Sequence, residues 1–140
     1  MPDIDQVPST TYAFELATVL PATPESIYAA WLSSAGHSAM TGAQAHVDGR
    51  VGGAYDAWDG YITGTTLALE PDHRIVQSWR TLEFGPDHAD SHVDVQLDAE
   101  GGGTRLTLRH SNVPSDQRGY EEGGWLESYF EPMRVFFSGE

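Results

Sequence analysis

At 140 residues the chain is long enough to bury a core without staples and short enough to be one domain. It has no cysteine, which excludes disulfides, thiolate catalysis and cysteine-ligated zinc. Its net charge is −14 and its seven basic residues are all arginine, and so acidic a surface repels phosphate backbones, which excludes nucleic acid as an expected partner.

No apolar run approaches the ~18 residues of a membrane span. The opening Met1-Pro2-Asp3-Ile4-Asp5 is acidic and unlike a signal peptide, so a cytoplasmic protein without a membrane partner is expected. Residues 1–10 carry two prolines and no periodicity and read as a flexible arm, with residues 11–140 as the single domain. From Thr11 to Leu20, Tyr12, Phe14, Leu16, Thr18 and Leu20 alternate with Ala13, Glu15, Ala17 and Val19, the period-two pattern of a half-buried strand. Thr23 then suits an N-cap and Pro24 a first helical position. Ile27, Ala30 and Trp31 share one face of the helix that follows, which is expected to end at Gly36, with one further turn over residues 37–40.

Residues 43–50 read as a short strand and the turn Asp48-Gly49-Arg50. A meander follows over residues 52–80. Tyr55 and Ala57, then residues 62–69, then Ile75, Gln77 and Trp79 recur at strand spacing between the turn-formers Asp59-Gly60 and Pro71-Asp72-His73. Asp59-Gly60 is the strongest hairpin signal, because a primed turn needs residues that tolerate positive φ. Gly52-Gly53 and Gly64 interrupt strands, as at a bulge, a bend or a close backbone approach. Val93, Val95 and Leu97 form another strand. The turn Gly101-Gly102-Gly103 leads into a last one, with Leu106, Leu108 and His110 inward. Trp125, Tyr129, Met133 and Phe137 then recur every four residues, the wide apolar face of a long helix that Pro132 should kink.

This order predicts an α+β fold: a curved antiparallel sheet of six to seven strands wrapped around the C-terminal helix, with one or two short helices after the first strand. Such a sheet and helix leave a concave, mostly apolar space between them, the usual kind of site for a small ligand.

The same residues resemble a family. The run Gly52-Gly53, Asp59-Gly60, Gly64, Pro71 and Ile75-Val76 to Trp79-Arg80 is similar to the signature of the activator of heat-shock-protein ATPase homologues. So are Asn112-Val113-Pro114, Gly124-Trp125 and Tyr129-Phe130. These proteins lie within the START, or birch-pollen-allergen-like (SRPBCC), superfamily, and the resemblance covers roughly Tyr12 to Phe137. It implies the helix-grip fold. It also implies a hydrophobic small molecule as ligand, as inferred for most stand-alone members. The eukaryotic activators use a separate N-terminal domain for their main chaperone contact, and the ten-residue arm here is too short to replace one.

Trp31, Tyr55, Trp58, Trp79, Trp125, Tyr129 and Phe130 each bury a large area, whether they fill the core or line a pocket. As a set they suit a flat apolar ligand, with Trp79, Tyr129 and Met133 foremost. Gln77 and His110 fall on inward strand faces beside Ile75, Trp79, Leu106 and Leu108, where a polar group needs a partner from protein, water or ligand. A histidine satisfied by a neighbouring carbonyl is the first reading of His110; an acid, base or hydrogen-bond donor to a ligand is the second. The expected ligand-binding set is Trp31, Tyr55, Gln77, Trp79, Leu108, His110, Tyr129 and Met133. His110 is the single catalytic candidate, and no metal or cofactor is expected. Asp87, His88, Asp90 and His92 are ligand types, but this histidine spacing juxtaposes two rings only on a helix, so the segment reads as a solvated acidic loop.

The expected function is binding of a small hydrophobic molecule, as a carrier or sensor, by a monomer or homodimer. A chaperone-associated interaction module and a small enzyme acting on a hydrophobic substrate through His110 are the alternatives.

Overall fold

A computed structural model describes residues 11–117 and 119–138. The expected arm, Arg118 and the last two residues lie outside the described residues. Strand β1 (Thr11–Leu20) buries Leu20 and half-buries Tyr12, Phe14, Leu16 and Thr18, while the alternate side chains from Ala13 to Val19 are exposed. Helix α1 (Pro24–Trp31) is capped by the Thr23 side chain, which accepts from the Ser26 N–H, and Pro24 opens it where a missing N–H costs nothing.

Gly36 does not end this helix. α1 stops at Trp31, and a separate helix α2 (Ser34–Thr41) follows with Gly36 in its first turn. Ser33 starts α2, its Oγ accepting from the Gly36 N–H at 3.1 Å. The glycine is there for packing: a Cβ would lie 2.7 Å from Ala30 Cα on α1. The left-handed Gly42, at φ +84°, ends α2.

Strands β2 (His46–Val47), β3 (Ala54–Ala57), β4 (Ile62–Glu70), β5 (Arg74–Thr81), β6 (Ser91–Glu100) and β7 (Gly103–Pro114) join β1 in one seven-stranded sheet of order β1-β7-β6-β5-β4-β3-β2. Every pairing is antiparallel. Because β1 pairs with the last strand, α1 and α2 must carry the chain from one edge of the sheet to the other. Asp59 and Gly60 make the primed turn between β3 and β4, with φ of +59° and +89° and a bond from the Tyr61 N–H to the Trp58 carbonyl at 3.1 Å. In β4 the pairing passes from Thr66↔Gln77 to Ala68↔Val76, so Leu67 is an extra, bulged residue that bends the strand.

The C-terminal helical run covers residues 120–137. Its first part consists of wide π-helical turns, Tyr120–Gly124 and Leu126–Phe130, and its last is the α-helix α3 (Glu131–Phe137). The Trp125 N–H reaches back five residues to the Tyr120 carbonyl, and Glu131 to Leu126. Pro132 therefore sits in the first turn of α3, directly after a widened turn that gives its ring room. Trp125, Tyr129, Phe130 and Met133 on this run share one core with Leu20, Ile27, Trp31 and Met40 and with the inward residues of β5, β6 and β7. The result is the helix-grip α+β architecture.

Candidate functional site

Two buried polar networks brace the core on either side of the C-terminal run. In the first, Trp31 donates its indole N–H to Gln77 Oε1 at 3.0 Å, and Gln77 Nε2 donates to Thr66 Oγ1 at 3.2 Å. His37 Nδ1 lies 2.8 Å from the Trp31 carbonyl and its Nε2 lies 2.8 Å from the Tyr129 hydroxyl. A carbonyl only accepts, so the ring proton is on Nδ1 and Tyr129 donates to Nε2. Burial lowers the His37 pKa, partly opposed by the bond to the Trp31 carbonyl, and burial raises that of Tyr129. Both groups are neutral at physiological pH.

In the second network, Trp125 donates its indole N–H to His110 Nδ1 at 3.1 Å. The His110 proton is thereby fixed on Nε2, 2.8 Å from Ser91 Oγ, and the Ser91 hydroxyl donates to the Trp79 carbonyl at 2.8 Å. Burial, reinforced by His92 and opposed by Glu121, lowers the His110 pKa to about 3. With both ring nitrogens engaged and protonation suppressed, His110 is built as a structural donor–acceptor, and this geometry does not favour it as an acid or base.

Aromatic rings link the two networks. Tyr129 stacks on Trp31 at 5.2 Å and lies 4.9 Å from Trp125, which is 5.7 Å from Trp79. Trp79 meets His110 edge-on at 4.6 Å and Tyr120 at 5.2 Å. Beside this chain of rings opens a cavity of about 300 Å³ between the β3–β4 hairpin and the π-helical turns. Trp58, Tyr61, Ile62 and Trp79 wall it on the sheet side, and Tyr120, Gly124, Trp125, Ser128 and Tyr129 on the helix side. Its volume is at the small end for ligand pockets, about right for a molecule of two or three fused rings. The depression between α1 and the turn 101–103 differs in kind, presenting Glu25, Asp72 and Glu100.

The mouth of the cavity is held by polar contacts. The Tyr61 hydroxyl donates to Glu83 Oε1 at 2.9 Å, and the Tyr120 hydroxyl to Gln117 Oε1 at 2.9 Å. Gln117 Nε2 in turn donates to the Glu83 carbonyl at 2.9 Å. Arg80 pins the neighbouring loop, donating to Asp90 Oδ1 and to the Gly85 carbonyl with its guanidinium over the Phe84 ring. Burial and the nearby carboxylates Glu83 and Asp116 help to raise the Tyr120 pKa.

Of the eight residues expected to contact a ligand, Trp79 and Tyr129 stand on the cavity wall. Trp31, Gln77 and His110 lie in the polar networks behind it, Leu108 and Met133 in the fully buried core, and Tyr55 under β4 with its hydroxyl on the Ser78 carbonyl. Periodicity does not single out Trp58, Tyr61, Tyr120, Gly124 or Ser128. One signal was available for the first two: a pair of large aromatics flanking the hairpin turn Asp59-Gly60, where strand burial gives no reason for them. Trp58 itself adopts φ +53°, a left-handed conformation that is costly for a bulky residue.

Among the described residues no group of three His, Asp or Glu side chains could hold a metal ion. Asp90 is instead the partner of Arg80, and His92 is exposed on β6. No helix among the described residues is long and apolar enough to cross a membrane.

The fold has relatives among known proteins. The family model of the Activator of Hsp90 ATPase homolog 1-like protein matches residues 21–137. An activator of 90 kDa heat shock protein ATPase homolog from Dictyostelium discoideum is 24% identical over 130 residues, 92% of this chain and 34% of that protein. The chain spans about a third of the length of the curated relatives it matches. Among solved structures, PFC0360w, an HSP90 activator from Plasmodium falciparum, superposes with a TM-score of 0.79 at 24% identity, covering 91% of this chain and 96% of that one. CalU16 from Micromonospora echinospora gives a TM-score of 0.72 at 26% identity, covering 91% and 77%.

Proposed function

The chain belongs to the Activator of Hsp90 ATPase homolog 1-like family, within the START/SRPBCC superfamily, and on that footing we propose that it binds a small hydrophobic molecule between the curved sheet and the C-terminal helix. The observation that carries this reading is the aromatic-walled cavity, where three of the four tryptophans meet around a space with few polar groups. An apolar ring entering it exchanges water for indole and phenol faces, a gain of about 25 cal/mol per Å² of apolar surface covered. The wide turns above the cavity place Gly124 on its wall and leave Tyr120 spanning its mouth.

Native mass spectrometry of protein purified without detergent, followed by organic extraction, tests this. A stoichiometric apolar passenger is the expected result. An empty protein that also fails to take up added aromatic ligands would contradict it.

A second reading is contact with a heat-shock chaperone. It draws on the names of the relatives and on Val135 and Phe136, apolar and exposed on α3 beside the groove to α2. Its measure is stimulation of a chaperone ATPase by this chain.

A further inference from the structure

The cavity wall is rich in rings and poor in free donors. Six of its side chains are aromatic: Trp58, Tyr61, Trp79, Tyr120, Trp125 and Tyr129. Neighbouring rings are inclined at 36° (Trp79 and Trp125), 46° (Trp125 and Tyr129) and 84° (Trp79 and Tyr120), so the wall is not one flat stack. Each of the three tyrosines gives its hydroxyl proton to the protein, to Glu83, Gln117 and His37. The Trp125 N–H goes to His110, and those of Trp58 and Trp79 are shielded from solvent. Ser128 is the one other side-chain donor on the wall. A ligand therefore meets aromatic surface and phenol oxygens whose protons point elsewhere. Both are electron-rich, and both favour positive charge.

The field at the mouth has the matching sign. Glu83 accepts from the Tyr61 hydroxyl at 2.9 Å, and Glu83 and Asp116 help to raise the Tyr120 pKa. Among the described residues no basic side chain stands on the wall, and the net charge of −14 adds a long-range attraction for cations. An alkylated ammonium suits such a space better than a primary amine. It has few or no N–H groups to leave unpaired, and its charge is spread over alkyl groups that also bury apolar surface. Resting on the reading of the cavity as a ligand site, we propose that its ligand is a small hydrophobic cation, an apolar body bearing an alkylated ammonium group held among the wall's aromatic rings.

Three probes of nearly one shape test this on the wild-type protein: 3-hydroxyphenyltrimethylammonium, its neutral carbon isostere 3-tert-butylphenol, and 3-hydroxybenzenesulfonate. The expected order is the cation tightest, by on the order of tenfold over the neutral phenol, and the sulfonate weakest. On binding, the N-methyl proton signal of the cation should move upfield, from the ring currents of the wall. High salt should weaken the cation more than the phenol. Glu83→Gln, which can still accept from Tyr61, should narrow the gap between them.

The neutral phenol bound as tightly as the cation would overturn the proposal while leaving the cavity reading intact. It would mean that the rings act through apolar area alone. Tightest binding of the sulfonate would equally overturn it. So would a cation that binds without the upfield shift, or that a folded Ser128→Phe protein binds as well as the wild type, because it would then sit on the acidic surface. If no probe binds, the cavity reading fails as well.

Discussion

Gly64→Ala is expected to destabilise the protein by about 3 kcal/mol or more, enough to leave much of it unfolded. The reason is a side chain that crosses a strand. Tyr55 on β3 faces Gly64 on β4, and its hydroxyl passes over that glycine to donate to the Ser78 carbonyl on β5 at 2.6 Å. That carbonyl is free for it because the Ser78 side chain takes over the pairing with Thr65, accepting from the Thr65 N–H at 2.9 Å. A Cβ on Gly64 would collide with the Ser78 carbonyl oxygen and lie 2.6 Å from Tyr55 Cε1 and 2.7 Å from its hydroxyl. Backbone and buried ring cannot both give way, so the loss is of packing and of a buried hydrogen bond together. Urea unfolding of the variant measures it. A loss below about 1 kcal/mol would show that β3 and β4 are looser than this contact implies.

The second large effect is a dependence of stability on pH that one histidine governs. Unfolded, an imidazole titrates at about 6.5; folded, His110 titrates at about 3. Above pH ~6.5 neither state binds the proton and the full contribution of the network is present. As the pH falls below that, the unfolded chain takes a proton that the native protein refuses. Stability then drains by about 1.4 kcal/mol per pH unit until the folded pKa is reached. Burial is the main cause, with His92 adding to it and Glu121 opposing.

His110→Gln removes this titration while leaving every carboxylate and His37 in place. Between pH 6.5 and 5 the wild type should therefore lose about 2 kcal/mol more than the variant. Imidazole nitrogen shifts give an independent reading, with His110 expected to keep its Nε2–H form from pH 8 to 5. A midpoint near 6.5, or equal losses in the two proteins, would contradict the network as described. His110→Ala is the harsher change, costing about 3 kcal/mol, because it opens a void and strands the Trp125 indole N–H.

Much of the fold was legible in local patterns. The alternation from Tyr12 to Leu20 maps onto β1 residue for residue, Thr23 and Pro24 mark the start of α1, and Asp59-Gly60 makes the primed turn. Gly64 read as a bulge, a bend or a close backbone approach, and the structure shows the last of these. Gly36 misled because a glycine needed for helix–helix contact looks, in one dimension, like a glycine that ends a helix. The wide turns around Trp125 were illegible for a similar reason: a spacing of four residues fits an α-helix, and it does not distinguish one from the wider winding seen here.

The site was less legible than the fold. Strand alternation identifies which side chains point inward, and Gln77 and His110 do. It does not say whether the space they point into is filled, and here Trp31, Ser91 and Trp125 fill it. The cavity lies further along the sheet, where a hairpin turn and a helix start come together from positions about 60 residues apart. No local pattern records that meeting.

A fluorescence titration with fluorene, on the wild type and on Ser128→Phe, tests the central claim most directly. Trp58, Trp79 and Trp125 line the cavity, so a bound aromatic should quench tryptophan emission and saturate at one equivalent. Ser128 is half-buried on the opposite wall, and a phenyl group there should fill the space without disturbing the core behind it. The account predicts saturable binding by the wild type and none by a folded Ser128→Phe protein. Equal binding by both would place the ligand elsewhere, and no binding by the wild type would show that the cavity does not take apolar rings.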